Sequence, residues 1–149
     1  MIYVGYQGIG KSSIAGKNNC IDLESGNFWV DGIRSDEWYK IYCNIAEHLS
    51  NQGFNVFMSS HSVVREELNK RNIDFTCIFP SVELKEQWIK RLEDRYNKTK
   101  KEKDYKALMN AKECYEKNII NLMYENNCIE IMEIDYDLLD IIEEKEQWF

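Results

Sequence analysis

The stretch that decides the fold is Gly5-Tyr6-Gln7-Gly8-Ile9-Gly10-Lys11-Ser12, which follows a short apolar run at residues 2–4. It matches G-x-x-x-x-G-K-[ST], a pattern whose glycines let the backbone wrap a phosphate and point its N–H groups inward. The lysine then supplies positive charge, the hydroxyl binds Mg²⁺, and the following helix adds its positive N-terminal end. The motif predicts a phosphate-binding loop, and the alternative is a chance glycine-rich turn.

The loop supplies most of the predicted nucleotide-binding residues. Lys11 is the predicted cation for the β- and γ-phosphates and a catalytic residue, and Ser12 is a predicted Mg²⁺ ligand. The predicted loop contacts to the nucleotide are Gly8, Ile9, Gly10, Lys11, Ser12 and Ser13.

The composition predicts one domain over residues 1–149, because 149 residues with 44% hydrophobic content suffice for a single core. No apolar run reaches eighteen residues and no leader segment is evident, so we expect a soluble, cytoplasmic protein. Five cysteines without a C-x-x-C pair indicate reduced thiols. A net charge of −7 disfavours an extended nucleic-acid partner, although a local basic groove stays open as an alternative.

Strand-like and helix-like segments alternate along the chain. Five strands are predicted, at residues 2–4, 20–24, 54–59, 73–79 and 128–134. Helices are predicted at about residues 11–18, 35–53, 60–71, from 81 onward, 102–126 and 135–149, and residues 97–103 form a polar, mobile link. This alternation predicts an α/β fold with a five-stranded, mostly parallel sheet covered on both faces, and ligands bound at its carboxyl edge.

Two acids end the second predicted strand. Asp22 and Glu24 share one side of that strand because side chains alternate with a period of two. Since parallel strands deliver their carboxyl ends to the same edge, these acids are expected beside the loop. The alternative is a solvated pair at a strand terminus.

Two arginines on the helix after Pro80 form a like-charge pair. Arg91 and Arg95 are four residues apart, and Arg95 has no acid within reach on its own helix. Guanidinium groups suit phosphate oxygens, so both are predicted to clamp a phosphate and to act in catalysis. The alternative is a solvated basic face continued by the lysines at residues 98–103.

These features together resemble the small P-loop kinases, the group containing nucleoside monophosphate, gluconate and shikimate kinases. Three sequence features carry the resemblance: the loop at residues 5–12, the segment 79–84 running into Arg91-Leu92-Glu93-Asp94-Arg95, and Met58-Ser59-Ser60-His61 followed by Arg65. The resemblance implies a three-layer P-loop NTPase fold with a short helical lid at about residues 85–105. The chain is similar in its compactness to variants carried by small genomes such as those of phages.

The resemblance also implies functional roles. Asp22 would orient the acceptor or the water around Mg²⁺, and Tyr136 with Asp137 would lie near the adenine. Arg91 and Arg95 would close over the transferring phosphate, and Arg91 would thereby contact the nucleotide. Two departures stand out: the third strand has no aspartate after its apolar run, and the first helix is short. Mg²⁺ coordination would then depend on Asp22 together with Ser12.

The expected reaction is transfer of the γ-phosphate of ATP, with Mg²⁺, to a small acceptor beside Asp22. Arg34 and Arg65 are candidates to bind an acceptor phosphate, and the aromatic connector around Trp29 would stack on a base. A (deoxy)nucleoside monophosphate is therefore the first prediction. A gluconate- or shikimate-like metabolite kinase, a 5′-polynucleotide kinase and a non-catalytic nucleotide-binding protein are the alternatives, and the oligomeric state is open.

Overall fold

Five parallel strands form one sheet in the computed structural model, which describes residues 1–147. In chain order they are β1 Ile2–Gly5, β2 Cys20–Asp22, β3 Asn55–Ser59, β4 Thr76–Pro80 and β5 Cys128–Ile131. Their order across the sheet is β2-β3-β1-β4-β5, and each neighbouring pair is parallel. The predicted α/β class is confirmed, and the sheet is all-parallel instead of mostly parallel.

Six α-helices occur within residues 1–147. They are α1 Lys11–Ile14, α2 Trp38–Asn51, α3 Ser62–Lys70, α4 Lys85–Thr99, α5 Glu102–Met123 and α6 Leu138–Gln147. Short 3₁₀ turns at Ser25–Phe28 and Val82–Leu84 follow β2 and β4. None of these six helices combines the length and apolar character needed to cross a lipid bilayer.

The core lies around the three central strands. Tyr3, Phe57, Met58 and Ile78 on these strands are completely buried, and the rings of Tyr3 and Phe57 stack with centroids 4.9 Å apart. Such continuous apolar runs are expected where both faces of a parallel sheet are covered. The central strands therefore give the sheet edge a rigid base.

Several predicted elements were too long. The predicted helix over residues 11–18 ends at Ile14, because Gly16, Asn18 and Asn19 all adopt positive φ angles. The strands predicted at 20–24 and 128–134 are β2 and β5, each ending two or three residues earlier. The final helix begins at Leu138, and residues 148–149 of that prediction lie outside the described residues.

The predicted lid consists of two helices in a hairpin. α4 extends to Thr99, so the polar link predicted at residues 97–103 is reduced to residues 100–101, whereas the predicted start of the next helix at Glu102 is confirmed. Lys100, with φ of 53°, reverses the chain between them. This hairpin brings α5 acids close to α4 cations, which a reading of α4 alone misses.

Candidate functional site

The glycine-rich loop follows β1 directly. From β1 the chain crosses to β2 on one side of the sheet, whereas from β4 it continues to β5 on the other. Such a divergence between adjacent strands opens a crevice at their carboxyl ends, where ligands of α/β proteins bind. The loop at residues 5–12 lies at this crevice.

The loop conformation requires glycine at two positions. Gly8 and Gly10 have φ angles of +88° and +103°, in the left-handed region that side chains disfavour. A Cβ on Gly8 would also lie 3.0 Å from Leu92 Cδ2 and 3.2 Å from Trp88 Nε1. The loop therefore packs against α4 with no room for a side chain at that point.

The carbonyl groups of the loop are held from outside. Three side chains donate to three successive carbonyl oxygens: Trp88 Nε1 to Gln7 (2.9 Å), Arg91 Nη1 to Gly8 (3.3 Å) and the Tyr136 hydroxyl to Ile9 (2.8 Å). These donors come from α4 and from the segment after β5. We call them the carbonyl clamp.

The N–H groups of the loop are available to a ligand. Within residues 1–147, those of Gly8, Gly10, Lys11 and Ser12 donate to no other protein group. Successive unpaired N–H groups in such a turn form a concavity suited to anions. With its carbonyl oxygens engaged elsewhere, the loop presents mainly donors to the crevice.

A cavity of about 170 Å³ lies against the loop. Its walls come from the loop, the ends of β2 and β3, and the α4–α5 hairpin, and they include Lys11, Ser12, Asp22, Arg95 and Lys103. A larger open hollow of about 490 Å³ lies between β5 and α6, away from the loop. The ionisable side chains lining the larger hollow are mainly acids, whereas the smaller cavity combines the loop with Lys11, Arg95 and Lys103, so the smaller cavity is the candidate site.

Lys11 places its amine beside the loop. Its Nζ donates to the Gly5 carbonyl oxygen at 3.1 Å. Burial lowers the pKa of Lys11, while Asp22 and Glu24 act in the opposite direction. A phosphate in the cavity would supply an anion in direct contact with this amine.

The two serines after Lys11 have different surroundings. The Ser12 side chain is exposed and lines the same cavity, whereas the Ser13 hydroxyl donates to the Gly10 carbonyl at 2.8 Å.

Asp22 and Glu24 form a carboxyl pair in the cavity. Burial raises the pKa of Asp22 to about 6, and the charge and hydrogen bond of Glu24 add to the rise. Lys103 Nζ lies 3.9 Å from Glu24 Oε1 and ties the start of α5 to the end of β2. The structure thus brings both acids to the loop.

Arg95 is paired across the hairpin. Its Nε lies 3.0 Å from Oδ1 of Asp104, a buried residue whose Oδ2 accepts from the Thr99 hydroxyl. The prediction that Arg95 is unpaired was wrong, because the acid comes from α5. Arg95 nevertheless lines the cavity, together with Asp104 and Lys103.

Arg91 lies on the other side of the loop. Besides Gly8, its guanidinium donates to the Ile134 carbonyl at 3.0 Å and to the Tyr136 hydroxyl at 2.8 Å. The guanidinium carbon is 4.6 Å from the centre of the Trp88 ring. Arg91 does not line the cavity, and its predicted contact with a nucleotide, like that of Tyr136, stays a prediction.

The two arginines predicted to bind an acceptor phosphate do not line the cavity. Arg65 lies 3.0 Å from Glu125, and both side chains are largely buried. Arg34 lies over the indole rings of Trp29 and Trp38, at 4.5 and 3.9 Å from their centres. Both guanidiniums have partners outside the site.

His61 is the site residue that the sequence left without a role. It follows β3, lines the cavity, and its Nδ1 lies 2.8 Å from Ser59 Oγ. Burial lowers its pKa, and the charges of Arg34 and Lys11 lower it further. The available signal was its position just after a predicted strand, at the same sheet edge as the loop.

A metal ion in the cavity would need further ligands from a bound small molecule. The described residues contain no cluster of three or more His, Cys, Asp or Glu side chains suited to a metal. Ser12 and Asp22, both in the cavity, offer one hydroxyl and one carboxyl, which suits Mg²⁺ because that ion keeps waters and binds substrate phosphates. The donor set therefore fits Mg²⁺.

No protein-family model matches the chain, and no curated protein shows significant similarity to it.

Proposed function

We propose that the chain is a P-loop kinase, with a three-layer P-loop NTPase fold, that transfers the γ-phosphate of ATP to a small acceptor. One observation carries the proposal: a loop with its carbonyl oxygens held outward and its N–H groups free shares a cavity with Lys11, Asp22 and Arg95. Phosphoryl transfer needs positioned phosphates and fixed positive charge, and little covalent chemistry from the protein.

Each group of residues in the cavity has a separate role in the proposed reaction. The loop N–H groups and Lys11 would bind the donor phosphates, and Arg95 would offset charge on the transferring group. An acceptor oxygen attacks the γ-phosphorus, the bond from that phosphorus to its bridging oxygen breaks, and ADP leaves with the electron pair. The acceptor proton passes to a base, for which Asp22 is the candidate among the carboxyls.

Ser12 and Asp22 would hold Mg²⁺ when the nucleotide brings it. The ion supplies neutralising charge to the donor phosphates. The five free thiols support a reducing, cytoplasmic setting. The acceptor predicted from the sequence, a (deoxy)nucleoside monophosphate, remains a prediction, and we expect no membrane or extended nucleic-acid partner.

Titration calorimetry with Mg²⁺ATP tests the loop. Lys11→Met should weaken ATP binding roughly 10- to 100-fold, because hydrogen bonds to charged groups contribute about 1.5–3 kcal/mol. The control variant is Lys17→Met, at an exposed lysine six residues away. Its ATP affinity should stay within about twofold of wild type, because surface substitutions usually have small effects. Equal affinities for both variants would refute the phosphate-loop assignment.

Turnover requires a separate experiment. Coupled ADP release should be screened with nucleotides, nucleosides, sugars and sugar acids as acceptors. Acceptor-dependent release identifies a kinase. ATP binding without release on any acceptor would instead favour a non-catalytic nucleotide-binding protein.

A further inference from the structure

The cavity has two halves with different chemistry. Lys11, Arg95 and Lys103 supply its cations, and the loop supplies N–H groups. The ends of β2 and β3, adjacent strands on one flank of β1, supply Asp22, Glu24, Ser25, Ser59 and His61. We call this second set the acceptor half.

The acceptor half contains no lysine or arginine, and the cation next to it, Lys103 at 3.9 Å from Glu24, is balanced by that carboxylate. Arg65 is committed to Glu125 and Arg34 to two indole rings, and neither lines the cavity. The three cations that do line it are those that donor phosphates need. A second phosphate, carrying close to two negative charges, would meet Asp22 and Glu24 there instead. This balance disfavours an acceptor that already carries phosphate.

His61 gives the acceptor half a neutral hydrogen-bonding group. In the tautomer whose Nδ1–H donates to Ser59 Oγ, Nε2 carries a lone pair. No described residue hydrogen-bonds to this Nε2. The ring is held edge-on against Trp38, with centroids 5.4 Å apart, so its orientation is fixed.

We propose that the acceptor is an uncharged alcohol whose reacting hydroxyl donates a hydrogen bond to Nε2 of His61. This inference rests on the proposed kinase function and identifies its substrate class. The hydroxyl oxygen forms a bond to the γ-phosphorus of ATP, and the bond from that phosphorus to the β,γ-bridging oxygen breaks. ADP takes the electron pair, and the hydroxyl proton moves onto Nε2, so that His61 is the base in place of Asp22 and the carboxyl is left to hold Mg²⁺.

An aromatic cluster supports the ring of His61. Trp38 packs against Phe28 and Tyr42, with ring centroids 6.0 and 5.5 Å away. Trp38 and Tyr42 are buried, and none of these three rings lines the cavity, so the cluster holds the histidine in place and offers no stacking surface to the acceptor. A nucleoside and a free sugar both present an uncharged hydroxyl, and the assay must separate them.

The substrate class is tested with pairs of compounds that differ by one phosphate group. Wild-type protein and Mg²⁺ATP are incubated with deoxynucleosides and their 5′-monophosphates, and with glucose and glucose 6-phosphate, and ADP release and product mass are followed. We expect turnover of an uncharged member and at least tenfold lower kcat/KM for its phosphorylated partner. Turnover of deoxynucleosides alone or of glucose alone identifies the source. Turnover of monophosphates alone overturns the inference but keeps the kinase.

The role of His61 is tested with two amide variants. His61→Asn keeps a partner for Ser59 but removes the group at Nε2, so kcat/KM for the acceptor should fall by about 10² or more. His61→Gln places an amide near Nε2 that can accept the hydrogen bond but not the proton, so it should recover acceptor KM and leave kcat low. ATP affinity, measured by calorimetry, should stay within twofold in both.

A matched control is available in His48, an exposed histidine on α2 whose Nε2 lies 3.2 Å from Gln52 Nε2. His48→Asn should leave kcat/KM unchanged. If His61→Asn stays within threefold of wild type, or if no uncharged compound is phosphorylated by a protein that binds ATP, the inference is wrong. Failure of the wild type to bind ATP would refute the kinase itself.

Discussion

The carbonyl clamp can be tested at a single oxygen atom. Tyr136→Phe removes a hydroxyl that accepts from Arg91 Nη1 and donates to the Ile9 carbonyl, both at 2.8 Å. The phenyl ring can keep its stacking on Trp88, whose centroid is 6.1 Å away at an interplanar angle of 11°. The change therefore separates the hydrogen bonds of the clamp from its packing.

The expected loss follows from the groups left without partners. The Ile9 carbonyl loses the side chain that holds it outward, and a partly buried acceptor without a partner costs about 1–3 kcal/mol. Arg91 keeps Gly8 and Ile134 as acceptors. Since about 1.4 kcal/mol corresponds to a tenfold change, Mg²⁺ATP should bind roughly 5- to 100-fold more weakly if the whole cost falls on the loop.

Calorimetric titration with Mg²⁺ATP and urea unfolding should be measured side by side. The matched control is Tyr124→Phe, which removes the same hydroxyl group at a residue that is 83% exposed and lies away from the loop. An affinity for Tyr136→Phe within twofold of the control would show that the hydroxyl does not hold the loop. A loss of stability without a loss of affinity would likewise refute the reasoning.

Two further variants test the cavity groups. Arg95→Ala should lower kcat by about 10² or more; because it also leaves buried Asp104 with Thr99 alone, urea unfolding should show a loss of about 1–3 kcal/mol. A change confined to KM would place Arg95 in ground-state binding. Asp22→Asn should lower turnover far more than ATP affinity, measured by kinetics and calorimetry. Since folding raises the pKa of Asp22 from 3.8 to about 6, the folded state binds this proton more tightly. The contribution of Asp22 to stability is therefore greatest below pH 4 and is lost as pH rises through 6. The stability of the variant relative to wild type should rise over that window, and a flat difference would contradict the shift.

The elements that the sequence predicted well have strong local signals. The strand before the loop, the glycines at residues 8 and 10, and the apolar runs of β3 and β4 all depend on short-range patterns. Placing Asp22 beside Lys11 required only the rule that parallel strands share a carboxyl edge. The cavity that contains both residues agrees with that rule.

The contacts that the sequence did not predict join distant residues. The three donors of the carbonyl clamp bind loop residues that precede them by 81, 83 and 127 positions in the sequence. No periodicity within one helix indicates such partners. The pairing of Arg95 with Asp104 depends on the turn at Lys100, within the segment predicted to be a mobile polar link. In each case tertiary geometry, not local propensity, supplies the partner.

The clamp also limits how the hairpin can move. Trp88 and Arg91 fix the first two turns of α4 to the loop, and a swing of residues 85–105 as one body would break both hydrogen bonds. Arg95 lies one turn further along the same helix, and Lys103 joins the start of α5 to Glu24 only at 3.9 Å. A movement of the hairpin that keeps these two hydrogen bonds would therefore have to occur beyond Arg91. Arg95 would then move together with Asp104 of α5, to which it is paired at 3.0 Å.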